Sequence, residues 1–274
     1  MVSMSIHICM PKFLRKNYMR IGYTAGNSNK AQEIVKFLKT SYKLIDVTSD
    51  CDVDIVVVIG GDGCLLHALH KYMHLNVPFY GINAGSIGFL MNQFNQNSDL
   101  IERLQNAEKT TLKPLEMQVI KENHDIQTFL AVNEVSLFRA TSNTAKIAIK
   151  INGIEQMSEL ISDGVLVSTS AGSTAYNLSA GGSILPLNSN VLALTPICPF
   201  RPRRWRGAII PSNSVITFSI LGRKQRPVHA VADFNEYPDV ETIIVKQSSI
   251  YLIDVLFDLN HKLEDRIIKE QFSG

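Results

Sequence analysis

Eleven residues, VVVIGGDGCLL at positions 56–66, constrain the fold more tightly than any other stretch of the chain. Val56, Val57, Val58 and Ile59 form a continuous β-branched run, the pattern of a strand buried on both faces of a parallel sheet. Gly60, Gly61 and Gly63 make a tight turn, and Cys64, Leu65 and Leu66 open a helix. Strand, glycine turn and helix form an anion-binding device, because the first N–H groups of a helix have no partner within it. Asp62 stands in the middle of that device. At about 4 Å and an effective dielectric near 20, a carboxylate and a phosphate repel by roughly 4 kcal/mol per pair of charges. A plain phosphate cradle would avoid an aspartate there. Two readings of Asp62 stay open. It caps the helix, accepting hydrogen bonds from the first turn, worth about 1 kcal/mol. Alternatively it works beside a phosphate chain, either with Mg²⁺ between the charges or as acceptor of the proton of a hydroxyl being phosphorylated.

The surroundings of this run alternate strand and helix patterns. Residues 19–24 are strand-like, and a helix follows with Ala31, Ile34, Val35 and Leu38 on one face. The helix after the glycine turn, residues 64–74, would put Leu65, Leu66, Leu69 and Met73 toward the core. A strand at 78–82 and a helix at 98–107 complete the βαβ rhythm of an open parallel sheet, whose ligands bind beyond the carboxyl ends of the strands. After about residue 113 the rhythm gives way to short extended runs. One of them, KIAIKI at 146–151, ends in Asn152-Gly153, a strong hairpin signal. The expected organisation is α/β plus β: residues 1–112 an open parallel α/β domain and 113–256 a β-rich, sandwich-like domain. The terminal segment 257–274 is expected to pack back on the first domain.

A chain of 274 residues can build two such domains. Its formal charge of +2, with 19% charged residues, is too balanced for a dedicated nucleic-acid binder and too apolar for a disordered chain. Cys9, Cys51, Cys64 and Cys198 form no CxxC pair and read as reduced thiols. No apolar run approaches the roughly 18–20 residues of a membrane span. The basic residues near the start follow a short apolar stretch, the reverse of a secretory signal. The expectation is a cytoplasmic protein with neither a membrane nor a nucleic acid as partner.

Four further stretches carry chemistry. GINAGSIGFL at 81–90 places a second glycine-bearing turn at the same edge of the expected sheet. Asn133-Glu134 adjoins an apolar run; adjacent strand residues point to opposite faces unless the strand ends or bulges there. Residues 158–182, SELISDGVLVSTSAGSTAYNLSAGG, offer many small hydroxyl and glycine residues, among which Asp163, Thr174 and Tyr176 are the chemically pointed ones. Arg201, Arg203, Arg204 and Arg206 form the strongest positive cluster, either a solvated loop or a contact for polyphosphate. His67, His70 and His74 share a polar helix stripe without the fuller donor set that a zinc site needs. Neither a Walker A sequence nor a GxGxxG fingerprint occurs, which disfavours a hydride-transfer domain.

Taken in order, GGDG at 60–63, NAGSIGFL at 83–90, NE at 133–134, SDG…STSAGSTAYNLSAGG at 162–182 and TPICP at 195–199 resemble the NAD kinase family over roughly residues 19–258. GGDG by itself is shared with diacylglycerol-type lipid kinases and phosphofructokinases; the later blocks favour NAD kinase. The resemblance implies an N-terminal α/β domain and a β-rich C-terminal domain, with NAD bound in the cleft between them. It implies that Asp62 is the base that activates the adenosine ribose 2′-hydroxyl for attack on the γ-phosphate of ATP, with Mg²⁺ present and no direct protein ligand assigned to it. Gly63 and Phe89 would lie along the bound nucleotide, and Asn133 and Glu134 would contact it through polar groups. Ala171, Thr174, Ala175, Tyr176 and Ser179 would surround the adenosine. Asp163 would reach NAD across a subunit boundary, which implies a homo-oligomer, dimer or tetramer. Gly61, Arg201 and Arg204 are the candidate phosphate contacts. Two departures stand out: Cys64 follows GGDG where many relatives have threonine, and Phe200 follows TPICP where histidine is frequent. The alternatives are a lipid or sugar kinase of the same GGDG superfamily, or a non-catalytic NAD(P)-binding regulator.

Overall fold

The computed structural model describes residues 19–48, 51–85, 88–120, 126–259 and 263–272. The first eighteen residues, which precede the stretch that resembles the family, lie outside that set, as do Ser86 and Ile87 of the second glycine turn. The chain forms two compact units, residues 1–110 with 254–262 and residues 111–253 with 263–274.

The first unit runs β1 (Ile21–Ala25), α1 (Asn29–Ser41), β2 (Leu44–Asp46), β3 (Ile55–Gly60), α2 (Asp62–Tyr72), β4 (Phe79–Asn83), β5 (Asn92–Gln93), α3 (Leu100–Asn106) and β6 (Glu108–Leu112). Its sheet has the order β2-β1-β3-β4, and β5 pairs with β4. All these pairings are parallel. β3 is central, and all six of its residues are buried, as a strand covered on both faces must be. α1 begins where Ser28 accepts a hydrogen bond from the Ala31 N–H, and it buries the expected Ala31, Ile34, Val35 and Leu38. α2 differs from expectation. It starts two residues earlier and ends in a 3₁₀ turn at Met73–Leu75. Its buried face is Leu65, Ala68, Leu69 and Tyr72, whereas Leu66 and Met73 are only half-buried. Leu65, Ala68, Leu69 and Tyr72 follow one another at i, i+3, i+4 and i+7 and so form one face, whereas Leu66 and Met73 are each one position, about 100°, further round.

The second unit runs β7 (Leu115–Ile120), β8 (Ile126–Ala131), β9 (Glu134–Arg139), β10 (Ala145–Ile151), β11 (Ile154–Ser162), β12 (Gly164–Ser168), α4 (Tyr176–Ser179), β13 (Val191–Ile197), β14 (Ala208–Pro211), β15 (Ile216–Ile220), β16 (Val228–Ala232), β17 (Asn235–Tyr237) and β18 (Thr242–Gln247). Two six-stranded antiparallel sheets result, β11-β10-β15-β18-β7-β8 and β14-β13-β12-β9-β16-β17. They share one core: Met117, Ile147, Phe218 and Val245 come from the first sheet, and Leu137, Val167, Leu194 and Ala230 from the second. β15 and β16 alternate buried and half-buried residues with period two. The Asn152-Gly153 turn is present, with φ of 52° and 80°, as a two-residue hairpin of that type requires.

The chain then returns through β19 (Ile253–Phe257), which joins the first sheet beside β4, and ends in α5 (Leu263–Gln271). Residues 257–274 therefore do not return as one piece. The returning segment starts at residue 254, where an apolar strand completes the parallel sheet. Residues 263–274 go with the second unit. There α5 buries Leu263 and Ile267, and Glu264 accepts a hydrogen bond from the Asn188 side chain.

Candidate active site

In the first unit Asp62 is the first residue of α2, and its carboxylate does not cap that helix. The cap position is Gly61, which makes no side-chain hydrogen bond. Instead Asp62 Oδ2 accepts from the Phe89 N–H at 2.7 Å and Oδ1 from the Leu90 N–H at 2.9 Å. The aspartate thus ties the GGDG turn to the second glycine turn, and each oxygen keeps a lone pair. A Cβ added at Gly61 or Gly63 would meet no atom within 4 Å, so this backbone is open to a ligand. Cys64 packs under the turn, and burial pushes its thiol pKa up, which keeps it protonated. The unit also holds a cavity of about 470 Å³ lined by Asp99, Glu102, Arg103 and Asp258, with no residue of either glycine turn in its lining.

In the second unit the segment 132–134 supplies the polar chemistry. β8 ends at Ala131 and β9 starts at Glu134, so strand pairing lapses at Val132 and Asn133. That break is the condition the sequence set for two adjacent residues to serve one ligand. Among the described residues the only buried side-chain oxygens or nitrogens without a partner are Asn133 Oδ1 and Glu134 Oε2. A buried polar atom without a hydrogen bond is costly, and a ligand or an ordered water can supply the missing partner. Burial first, and the charge of Asp233 second, push the Glu134 carboxyl up to about 8.

The Ser/Gly-rich stretch forms a 3₁₀ turn at Ala171–Thr174 followed by α4. Thr169 Oγ1 donates to the Val132 carbonyl at 2.8 Å and accepts from the Gly172 N–H at 3.0 Å. A Cβ on Gly172 would fall 2.3 Å from the Asn133 carbonyl oxygen, so only glycine lets the two segments approach this closely. Asn177 is fully buried. Its amide donates to the Ser173 and Ser183 carbonyls and accepts from Thr195 Oγ1, which fastens the loop to β13. Tyr176 packs its ring 5.8 Å from that of Phe138. Its phenol is pushed up by burial first and then by Cys198, Glu134 and Asp163.

The sequence-derived candidates fall into these two places. Asp62, Gly61, Gly63 and Phe89 gather at the glycine turns; Glu134 opens β9 opposite Ser168 with Asn133 just before it, and Asp163 lies just ahead of β12 at that strand's other end. Ala171 is buried, Thr174 and Ala175 are half-buried, and Ser179 is exposed. Asp163 Oδ1 accepts from Arg139 Nε at 2.6 Å. Arg201 and Arg204 are exposed; the Arg201 guanidinium lies 5.7 Å from the Phe200 ring and that of Arg203 5.1 Å. No group of three or more His, Cys, Asp or Glu among the described residues could hold a metal ion. Sequence reasoning missed Asn177, Thr169 and Asp233. Asn177 lay inside the stretch that drew notice, whereas Asp233, in ADFNE, has the pattern of any turn aspartate.

A parallel-sheet unit with an aspartate in its glycine turn, and a β-sandwich unit presenting an amide and a carboxyl without partners, define a phosphotransferase of the GGDG class. Residues 1–110 match the model of the ATP-NAD kinase N-terminal domain, and residues 132–249 that of the C-terminal domain. The chain belongs to the NAD kinase family. It is 50% identical over 258 residues to the NAD kinase of Rickettsia bellii, covering 94% of this chain and all of the relative. The Rickettsia rickettsii (strain Sheila Smith) NAD kinase is 49% identical over the same length and coverage. Two solved structures share the fold at 22% identity. Yeast NADH kinase complexed with NADH has a TM-score of 0.79 and covers 94% of this chain and 88% of its own. An NAD kinase from Archaeoglobus fulgidus in complex with ATP has a TM-score of 0.74 and covers 93% of this chain and all of its own.

Proposed function

We propose that this NAD kinase transfers the γ-phosphate of ATP to the 2′-hydroxyl of the adenosine ribose of NAD, giving NADP and ADP, with Asp62 as the base. The observation that carries this reading is that the unpartnered Asn133 and Glu134 oxygens of the second unit await a hydrogen-bonding ligand, in a chain whose first unit holds Asp62 in an open glycine turn. Asp62, held by two N–H groups, orients the hydroxyl and takes its proton as the oxygen attacks phosphorus. The backbone N–H groups of the glycine turns stabilise charge on the transferring phosphoryl. Asn133 and Glu134 hydrogen-bond the nucleotide, and Ala171, Thr174, Ala175, Tyr176 and Ser179 enclose its adenosine. Gly63 and Phe89 lie along it, and Gly61, Arg201 and Arg204 serve the phosphates. Magnesium would enter on the triphosphate, since it binds chiefly phosphate and water oxygens and needs few protein carboxylates; it would neutralise phosphate charge. A lone carboxylate at an open glycine turn suits that arrangement.

The same reading makes the protein a cytoplasmic homo-oligomer in which Asp163 reaches the NAD of a neighbouring subunit. Among the described residues no helix is long and apolar enough to cross a membrane. The decisive experiment incubates the protein with NAD, ATP and magnesium and reads NADP with an NADP-specific dehydrogenase. NADP formation establishes the reaction. Binding of NAD without turnover would point to a regulator, and phosphorylation of a lipid or sugar instead would point to the sister kinases.

A further inference from the structure

Residues 132–134 contain six backbone polar groups, and every one is satisfied within the second unit. The N–H groups of Val132, Asn133 and Glu134 all donate to the Asp233 carboxylate, at 2.7, 2.9 and 3.2 Å. The Val132 carbonyl accepts from Thr169 Oγ1, and the Asn133 carbonyl from the Thr169 N–H. The Glu134 carbonyl accepts from the Asp233 N–H at 3.1 Å. Asp233 itself sits in the turn between β16 and β17 with a positive φ of 54°, a conformation that aspartate tolerates better than most residues. The four groups of Val132 and Asn133 lie where the ladder lapses, and Asp233 alone supplies four of the six bonds. Only the side chains of Asn133 and Glu134 are left wanting partners.

We propose, building on the NAD kinase reading, that Asp233 is the positioning residue of the nucleotide site, gripping the 132–134 backbone so that Asn133 and Glu134 are both presented to NAD. Asp233 does not touch the reacting atoms; it acts through its two neighbours. It also acts through its charge. The charged and titratable groups that act on Glu134 or its neighbour are the Asp233 carboxylate from the β16–β17 turn and, through the Tyr176 phenol of α4, Asp163 and Cys198, with Arg139 bound to Asp163. In this company the Glu134 carboxyl keeps its proton at neutral pH and donates a hydrogen bond to the nucleotide. Above about pH 8 it ionises next to Asp233, and that donor is lost.

The test compares wild type, Asp233→Asn and Glu134→Gln by calorimetric titration with NAD and by steady-state kinetics, from about pH 6.5 to about pH 9.5. In Asp233→Asn one accepting oxygen is replaced by an amide nitrogen that cannot accept. The dissociation constant and KM for NAD should rise about tenfold or more, with kcat at saturation changed no more than about threefold. The pH at which NAD affinity breaks, near 8 in the wild type, should also move down. A merely structural turn residue would lower the melting temperature without moving that break. Wild-type affinity and an unmoved break in Asp233→Asn overturn the proposal. Should that variant not fold, Glu134→Gln decides: loss of the break supports the proposal, and a break at the wild-type pH overturns it. A wild type that binds NAD without turnover refutes the catalytic reading alone, because the titrations still judge Asp233. A wild type that does not bind NAD refutes both.

Discussion

Asp62 and Glu134 are acids that the fold treats in opposite ways. Asp62 accepts hydrogen bonds from two backbone N–H groups, whereas Glu134 is buried beside another acid, which disfavours its charged form. On the proposed reading the first is the base and the second a hydrogen-bond donor to the nucleotide. Asp62→Asn should lower kcat by about 10²–10⁴, the usual worth of a positioned base. A side-chain amide would also confront one of the two N–H groups of Phe89 and Leu90, so the second glycine turn should loosen as well. A near-normal kcat would reduce Asp62 to a staple between turns. Glu134 makes a prediction about stability. Its folded carboxyl holds a proton to about pH 8, against an ordinary value of 4.5. Between those values the native state binds more protons than the unfolded one. Its stability is therefore fully present below the ordinary value and is lost as pH rises through about 8. Since a tenfold change in proton affinity is worth about 1.4 kcal/mol, the loss should amount to a few kcal/mol at most. Denaturant melts should then find Glu134→Gln gaining on the wild type between pH 5 and about pH 8; a constant difference would contradict the buried, protonated state.

At the scale of elements, the lapse between β8 and β9 is the feature on which the proposed nucleotide contacts of the second unit depend. A continuous strand would send Asn133 and Glu134 to opposite faces. The lapse is held open from one side by Asp233 and from the other by Thr169 and the 3₁₀ turn. Gly172→Ala tests the second support, because its Cβ would fall 2.3 Å from the Asn133 carbonyl. The turn must then withdraw, at a cost of about 1–3 kcal/mol in stability. KM for NAD should rise with it, as measured by initial rates; an unchanged KM would mean the site does not depend on this approach. Both ends of this device were half-legible. NE and GST stood out in the sequence, but that they lock together through Thr169 did not, since hydrogen bonds between residues some forty positions apart leave no periodic trace.

For the whole molecule, the shared site is the consequence to test. If Asp163 serves the neighbouring subunit, co-expression of Asp62→Asn with Asp163→Ala should restore activity. A mixed dimer would join an intact Asp62 to an intact Asp163 in one of its two sites. For random dimers about a quarter of the sites would be complete. No recovery, with mixed oligomers demonstrated by affinity tags, would place Asp163 in its own subunit's site, in keeping with its ion pair to Arg139.

The sequence alone determined the two-unit plan, the parallel strand–turn–helix around Asp62 and the antiparallel second unit. Those features rest on periodicity, glycine turns and β-branched runs, which are local properties of the chain. It also determined the family, because the motifs lie in fixed order along the chain. Tertiary structure decided the rest. It made Asp62 a partner of the Phe89 and Leu90 N–H groups instead of a helix cap. It divided the terminal segment between a strand in the first sheet and a helix in the second unit. It brought Asp233 about a hundred residues back along the chain to hold Asn133 and Glu134. A turn aspartate looks the same in sequence whether its carboxylate meets water or three N–H groups, and only the packing of distant strands chooses between them.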